Sequence, residues 1–207
     1  MKILAMDLSS GRGSIAWSGG AGEVFDVAFA NDRKHSGQFF ENLQGTLQRF
    51  GTPELIVVGL GPGSYAGTRI AIAAASGLAA ATGAHVCGLS SVRAFGTNVT
   101  EYSVVGDARR QSFFFAHVVA RECMEGPLLY TRDELLTRIR GSAQPVFASE
   151  QIADAPEAVL SYPSARVLAE IARVAPETLA TQPLEPIYLR EPHITYPKSP
   201  ASRNVQA

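Results

Sequence analysis

One stretch of this chain concentrates the residues that could do chemistry. Gly59-Leu60-Gly61-Pro62-Gly63-Ser64-Tyr65-Ala66-Gly67-Thr68-Arg69 separates an apolar run at 55–60 from an alanine-rich segment with helical spacing at 70–81. At such a turn from strand to helix, free backbone N–H groups can cradle an anion. Gly61, Gly63 and Ser64 are therefore candidates to hold a phosphate. The turn is not a P-loop, because no Gly-Lys-Ser/Thr triplet follows it. Gly61, Gly63 and Ala66 do meet the relaxed dinucleotide spacing, but no acidic residue stands between Ala66 and Val99 to hold a ribose. The competing reading is a tight turn whose glycines let helix and sheet approach closely.

Two further positions belong with this loop. Asp7 closes the first apolar run ahead of Ser9, Ser10 and Gly11, where a carboxylate could face a metal-bound nucleotide or simply form a turn. Arg109 and Arg110 offer guanidinium groups to a phosphate, or else cap a solvated hairpin. Other chemistries lack their parts. Ser64 is flanked by Pro62 and Ala66, so it is no Gly-x-Ser-x-Gly nucleophile. His35, His85, His117 and His193 stand singly, and Cys87 and Cys123 lie far apart without a Cys-x-x-Cys, so neither a metal site nor a disulfide framework is expected.

The elements that must position these groups follow from hydrophobic spacing. Residues 3–8 and 14–17 read as a hairpin, and 23–30 alternate as a third strand. Over 37–50, Phe39, Phe40, Leu43, Leu47 and Phe50 form one helical stripe, with Gly51 as a stop and Pro53 beyond it. Residues 55–60 read as a strand buried on both faces, 70–81 as a helix and 85–89 as another strand. That order predicts a ribonuclease H-like lobe, a mixed sheet covered by helices. The second half repeats the theme with strands at 102–105, 113–119 and 145–148 and helices at 132–140 and 164–174. The expected domains are 1–101, a shorter second lobe at 102–191, and a disordered tail at 192–207.

Composition narrows the function classes. With 46% hydrophobic residues in 207, the chain can bury a full core. A net charge of -1 argues against autonomous binding to a polyanion, so any RNA contact is expected through another subunit. No segment has the length of a membrane span, and the paired facts of few cysteines and no leader pattern predict a cytoplasmic protein. The 70–81 helix lacks any charged face, and its small residues would let a second helix approach closely, either from this chain or from a partner.

Four motifs together resemble the TsaB (YeaZ) family. They are Asp7-Leu8-Ser9-Ser10, the block Gly61 to Ile70, Asp107-Ala108-Arg109-Arg110 and Pro186-Ile187-Tyr188-Leu189-Arg190, in family order over residues 1–190. The resemblance implies an α/β, actin-like (ASKHA) fold of two ribonuclease H-like lobes. It also implies a non-catalytic subunit that pairs with TsaD, with TsaE in a larger complex, for threonylcarbamoylation of the adenosine next to the anticodon in tRNA. ATP and metal would belong to the partner subunits, tRNA would be met only through the complex, and a homodimer would form when the partner is absent. TsaD carries a His-x-x-x-His metal motif; the matching stretch here, Gly88-Leu89-Ser90-Ser91-Val92-Arg93-Ala94-Phe95, has no histidine.

The implied partner surface lies on the first lobe's helices, at Phe39, Leu43, Arg69, Ile72, Ala73, Ser76, Gly77 and Ala80. Asp7, Gly61, Gly63, Ser64 and Arg109 mark where a weak nucleotide or anion site would be retained. Catalytic and metal-binding residues are expected to be absent. The alternatives are an ATP-dependent phosphotransferase of the same fold using Asp7 and the glycine loop, and a glycoprotease, for which no nucleophile arrangement is visible. The chain departs from the family where Gln111-Ser112-Phe113-Phe114 replaces the usual Gly-Glu-Val-Tyr, and in its short second lobe.

Overall fold

The computed structural model describes residues 1–20, 22–31, 36–174 and 184–190. The tail read as disordered, 192–207, lies outside them. The first sheet contains β1 (Ile3–Asp7), β2 (Arg12–Ser18), β3 (Val24–Ala30), β4 (Leu55–Gly59) and β5 (His85–Leu89), in the order β3-β2-β1-β4-β5. β1 pairs antiparallel with β2 and parallel with β4, so the sheet is mixed. α1 (Ser36–Phe50) and α2 (Tyr65–Thr82) follow β3 and β4.

The second half builds β6 (Glu101–Asp107), β7 (Ser112–Val119), β8 (Glu122–Thr131), α3 (Arg132–Arg140), β9 (Val146–Ala148), β10 (Val159–Leu160) and α4 (Ala165–Val174). Its sheet runs β10-β9-β6-β7-β8. β6 pairs antiparallel with β7 and parallel with β9, and β8 and β10 close the edges. Read from its first strand outward, this is the same topology as the first sheet, so the duplication absent from the residues is present in the backbone. No helix stands between β9 and β10, where α2 stands in the first lobe, and this accounts for the short second half.

Alternation within β1 explains why its sheet is covered on both sides. Leu4 and Met6 join Phe39, Leu43, Ala71 and Ala75 beneath α1 and α2. Ile3 and Ala5 point the other way, into a cluster with Ala165, Leu168, Ala169 and Ala172 of α4. That placement corrects the boundary at 101/102. α4 follows the second sheet in sequence but covers the first, because its one apolar stripe meets the face that α1 and α2 leave open. Reciprocally, the 3-10 turn Ser91–Ala94 and Phe95 follow β5 yet place Val92 and Phe95 in the second lobe's cluster with Tyr102, Val104 and Phe147.

Local signals set the helix ends. α2 begins at Tyr65, five residues before the alanine run, because Ser64 accepts from the Gly67 N–H as N-cap. Gly83, at φ 74, closes it in the left-handed conformation. α3 starts with a full capping box between Thr131 and Glu134. Two strands are not predicted by the sequence: the two-residue β10, and β8, whose central Gly126-Pro127 reads as a turn but sits at an edge with register shifts opposite Phe115 to Val118.

Candidate functional site

A cleft of about 450 Å³ opens between the two sheets. It is lined by Ser9 and Ser10 of the β1–β2 turn and the loop from Pro62 to Tyr65 from the first lobe, by Asp107 at the end of β6 and Arg109 in the turn that follows, and by residues 186–190. Of the five residues expected at an anion site, Gly63, Ser64 and Arg109 line this cleft; Asp7 and Gly61 do not.

Asp7 is wholly buried. Its Oδ1 accepts from the Ser9 backbone N–H at 2.8 Å and the Ser9 hydroxyl at 2.7 Å, and its Oδ2 accepts from the Ser91 hydroxyl at 2.6 Å. A Cβ on Gly59 would lie 1.8 Å from Oδ2, so the strand β4 closes over the carboxylate. Burial raises its pKa above the ordinary 3.8 of an aspartate, against the opposing pull of the three hydrogen bonds. Asp7 therefore acts as a tie between the end of β1 and the Ser91 turn, and a nucleotide in the cleft would not reach it. This corrects its expected place in the site: the strand that presents it is central, and its neighbours close over both carboxylate oxygens.

The glycine loop is also turned inward. Ser64 N–H donates to the Ser9 carbonyl at 2.6 Å, Gly61 N–H to the Ser91 hydroxyl at 2.9 Å, and Gly67 N–H to the Ser64 hydroxyl at 3.2 Å. A side chain at Gly63 would approach the Ser9 carbonyl oxygen to 2.0 Å, and one at Gly67 the Leu8 carbonyl oxygen to 2.1 Å. These glycines let the loop lie directly on the backbone of the β1–β2 turn, and three amides that could face an anion already have protein acceptors. Arg109 belongs to the β6–β7 turn with φ 65, and its guanidinium pairs with Asp107 at 3.0 Å while staying largely exposed.

The helices of the first lobe present a different surface. Along α2, Ala66, Arg69, Ile70, Ala73, Ser76, Gly77 and Ala80 are exposed, one continuous stripe at three- and four-residue spacing. Of the expected partner positions, Arg69, Ala73, Ser76, Gly77 and Ala80 lie on it, and a Cβ at Gly77 would meet open space. Ile72 is half-buried beside it. Two expected positions do not lie on the surface: Phe39 is 2% and Leu43 9% exposed, both packed into the chain's own core. Adjacent residues cannot share one helical face, and here Phe39 turns in while Phe40 turns out at 53% exposure, next to a shallow groove along Leu43, Gln44 and Leu47.

One cluster went unread in the sequence. Tyr65 and Arg69, one turn apart on α2, join Tyr188: the rings stack with centroids 5.2 Å apart, and Arg69 donates to the Tyr65 hydroxyl at 2.6 Å. The pair spacing was visible; the arrival of residue 188 was not. Among the described residues no three of His, Cys, Asp and Glu are placed to share a metal ion, and no helix is long and apolar enough to cross a membrane. Both cysteines are free thiols, and burial pushes Cys87 up to about 12.

Residues 30–127, which contain the glycine loop and all of α2, match the family model of TsaD, tRNA N6-adenosine threonylcarbamoyltransferase. No curated protein matches the chain. Among solved structures, an uncharacterized protein with similarity to peptidase YEAZ from Pseudomonas aeruginosa superposes with a TM-score of 0.74 at 21% identity, over 91% of this chain and 99% of that one. YeaZ from Pseudomonas aeruginosa superposes with a TM-score of 0.72 at 18% identity, over 91% of this chain and 100% of that one. Both comparisons uphold the resemblance to TsaB (YeaZ): the chain has the two-lobed fold of YeaZ and shares with the TsaD family the sequence pattern of residues 30–127.

Proposed function

We propose that this chain is a docking subunit, without catalysis of its own, that pairs with TsaD during N6-threonylcarbamoylation of tRNA adenosine, with TsaE joining the larger assembly. The observation that carries this reading is the exposed stripe of α2, which beyond Arg69 at its start carries no charge from Ile70 to Ala80, on a helix whose other side already covers β4 and β5. Small residues at Ala73, Gly77 and Ala80 allow a facing helix to approach closely, and Ile70 adds apolar area to the same stripe. The match over residues 30–127 supports the same system, since a relative of the catalytic subunit is suited to a quasi-symmetric pairing. Absence of histidine from residues 88–95 removes the imidazoles that TsaD uses for its metal. In the cell the subunit works in the cytoplasm, meets tRNA through the complex and forms a homodimer through the same stripe when TsaD is missing.

A phosphotransferase using Asp7 and the glycine loop is the weaker reading, because Asp7 is sealed by Gly59 and the loop amides face protein oxygens. The deciding experiment mixes the purified chain with TsaD and measures mass by size-exclusion chromatography with light scattering. A one-to-one complex is expected; two folded proteins that elute separately would refute the proposal. Calorimetry with magnesium-ATP supplies the other arm, and tight binding with turnover by the chain alone would establish the phosphotransferase instead.

A further inference from the structure

Folds of two lobes around a cleft commonly open and close by a hinge, and the connection between the two sheets is the place to look for one. Here that connection is filled with side chains from both lobes. Within the turn Ser91–Ala94, Ser91 bonds Asp7 and Gly61 of the first lobe, and Ala94 packs into the first sheet's cluster with α4. Val92 and Phe95, on the same few residues, are buried in the second sheet's cluster. The return crossing lies alongside: Ser164 N–H donates to the Ala94 carbonyl, Gly96 N–H to the Tyr162 carbonyl, and Phe95 bridges Pro163 antiparallel. Ala165 N–H then reaches the Ser14 hydroxyl of β2.

One residue grips this joint from the second lobe. Arg121 lies in the two-residue β7–β8 turn, where Ala120 and Arg121 take φ 48 and 66. Such a turn favours Asn-Gly, and neither residue has a side chain that eases the left-handed conformation. What the strained position achieves is aim. The Arg121 guanidinium donates to the carbonyls of Phe95 at 2.7 Å and Thr97 at 2.8 Å and lies over the Tyr102 ring. Arg93 answers from the linker by donating to the Arg121 carbonyl at 2.6 Å and pairing with Glu122. The Tyr102 hydroxyl lies 3.0 Å from the carbonyls of both Val92 and Arg93, which share its one proton. A planar guanidinium can serve several carbonyls at once, which an ammonium does not reproduce.

We infer that the two lobes of this chain move as one body, and that Arg121 is the positioning residue that locks the joint between them. The cleft then has one width, and no ligand entering it closes the lobes. This inference is independent of the partner proposed above, since it concerns the isolated chain.

The test places spin labels at Gln48→Cys on α1 and Arg140→Cys on α3, both exposed, in a Cys123→Ser background that leaves only the buried Cys87. Distance measurement by pulsed electron resonance is expected to give one narrow distribution that magnesium-ATP does not change. Arg121→Ala is expected to broaden it or add a second distance. A broad or two-peaked distribution in the labelled parent, a shift on adding nucleotide, or an Arg121→Ala distribution identical to the parent would overturn the inference. If Arg121→Ala fails to fold, Arg121→Lys keeps the charge without the planar fork and is expected to broaden the distribution in the same way. Hydrogen exchange in the unaltered chain gives a reading free of mutation: the Gly96 and Ser164 amides are expected to exchange as slowly as the sheet cores, and exchange at loop rates would refute a locked joint.

Discussion

Replacing Asp7 separates a structural carboxylate from a nucleotide-handling one. In Asp7→Ala, the Ser9 N–H and the hydroxyls of Ser9 and Ser91 lose their acceptor inside a site sealed by Gly59. The hydroxyls can rotate toward other acceptors, but the backbone N–H is fixed, and one unsatisfied buried donor costs about 1–3 kcal/mol. With the small cavity added, a loss of about 3 kcal/mol is expected, a midpoint drop of roughly 6–12 °C for a chain of this size. Asp7→Asn keeps the shape. Its oxygen can accept from Ser9, and its amide can donate to the Ser91 oxygen, so at neutral pH it should remain within about 1 kcal/mol of the parent.

The two proteins should differ in pH response. Burial raises the folded-state pKa of Asp7 above its ordinary 3.8. Once pH exceeds 3.8 the unfolded chain releases this proton more readily than the folded one, so the carboxyl's contribution to stability falls as pH rises through the folded value and is fully present only below 3.8. Asparagine has no such dependence. Urea unfolding of both proteins from pH 3 to 8 should therefore show the parent losing ground to Asp7→Asn as pH rises. A parent that gains on Asp7→Asn over that range would mean the charged form is the favoured one and would sink the desolvation argument. Loss of magnesium-ATP binding at unchanged stability would instead identify Asp7 as a nucleotide ligand.

Three other substitutions probe separate parts of the molecule. Ala73→Arg should abolish pairing with TsaD in size-exclusion chromatography by placing an unpaired charge in the contact, while leaving thermal stability within about 0.5 kcal/mol because Ala73 is exposed in the single chain; retained pairing would place the interface elsewhere. Gly63→Ala, with a Cβ due 2.0 Å from the Ser9 carbonyl oxygen, should cost about 2 kcal/mol or more in denaturant unfolding, and an unchanged midpoint would mean the loop is free to shift. Leu168→Ala, at a fully buried position of α4, should lower stability by about 2–5 kcal/mol and speed hydrogen exchange in β1 and β4, whereas an effect confined to the second sheet would contradict the packing of α4 on the first.

Much of the architecture was readable along the chain because the signals are local. Period-two and period-3.6 spacing predicts β1 to β5 and the four helices, although α2 starts at Tyr65, where the Ser64 cap sets its end, ahead of the 70–81 segment that the spacing marks. The absence of charge over residues 70–81 was likewise visible, since a helical segment without a charged face must be covered on every side or meet a partner. Three things were decided only by tertiary structure. α4 covers the first sheet, because which of two open faces an amphipathic helix takes depends on what the other helices have already covered. Asp7 became a sealed tie because Gly59 and Ser91, 52 and 84 residues away, close over it. Phe39 and Phe40 divided between core and surface because the direction of adjacent helical side chains differs by about 100°, and only the sheet beneath α1 determines which of the two is turned inward.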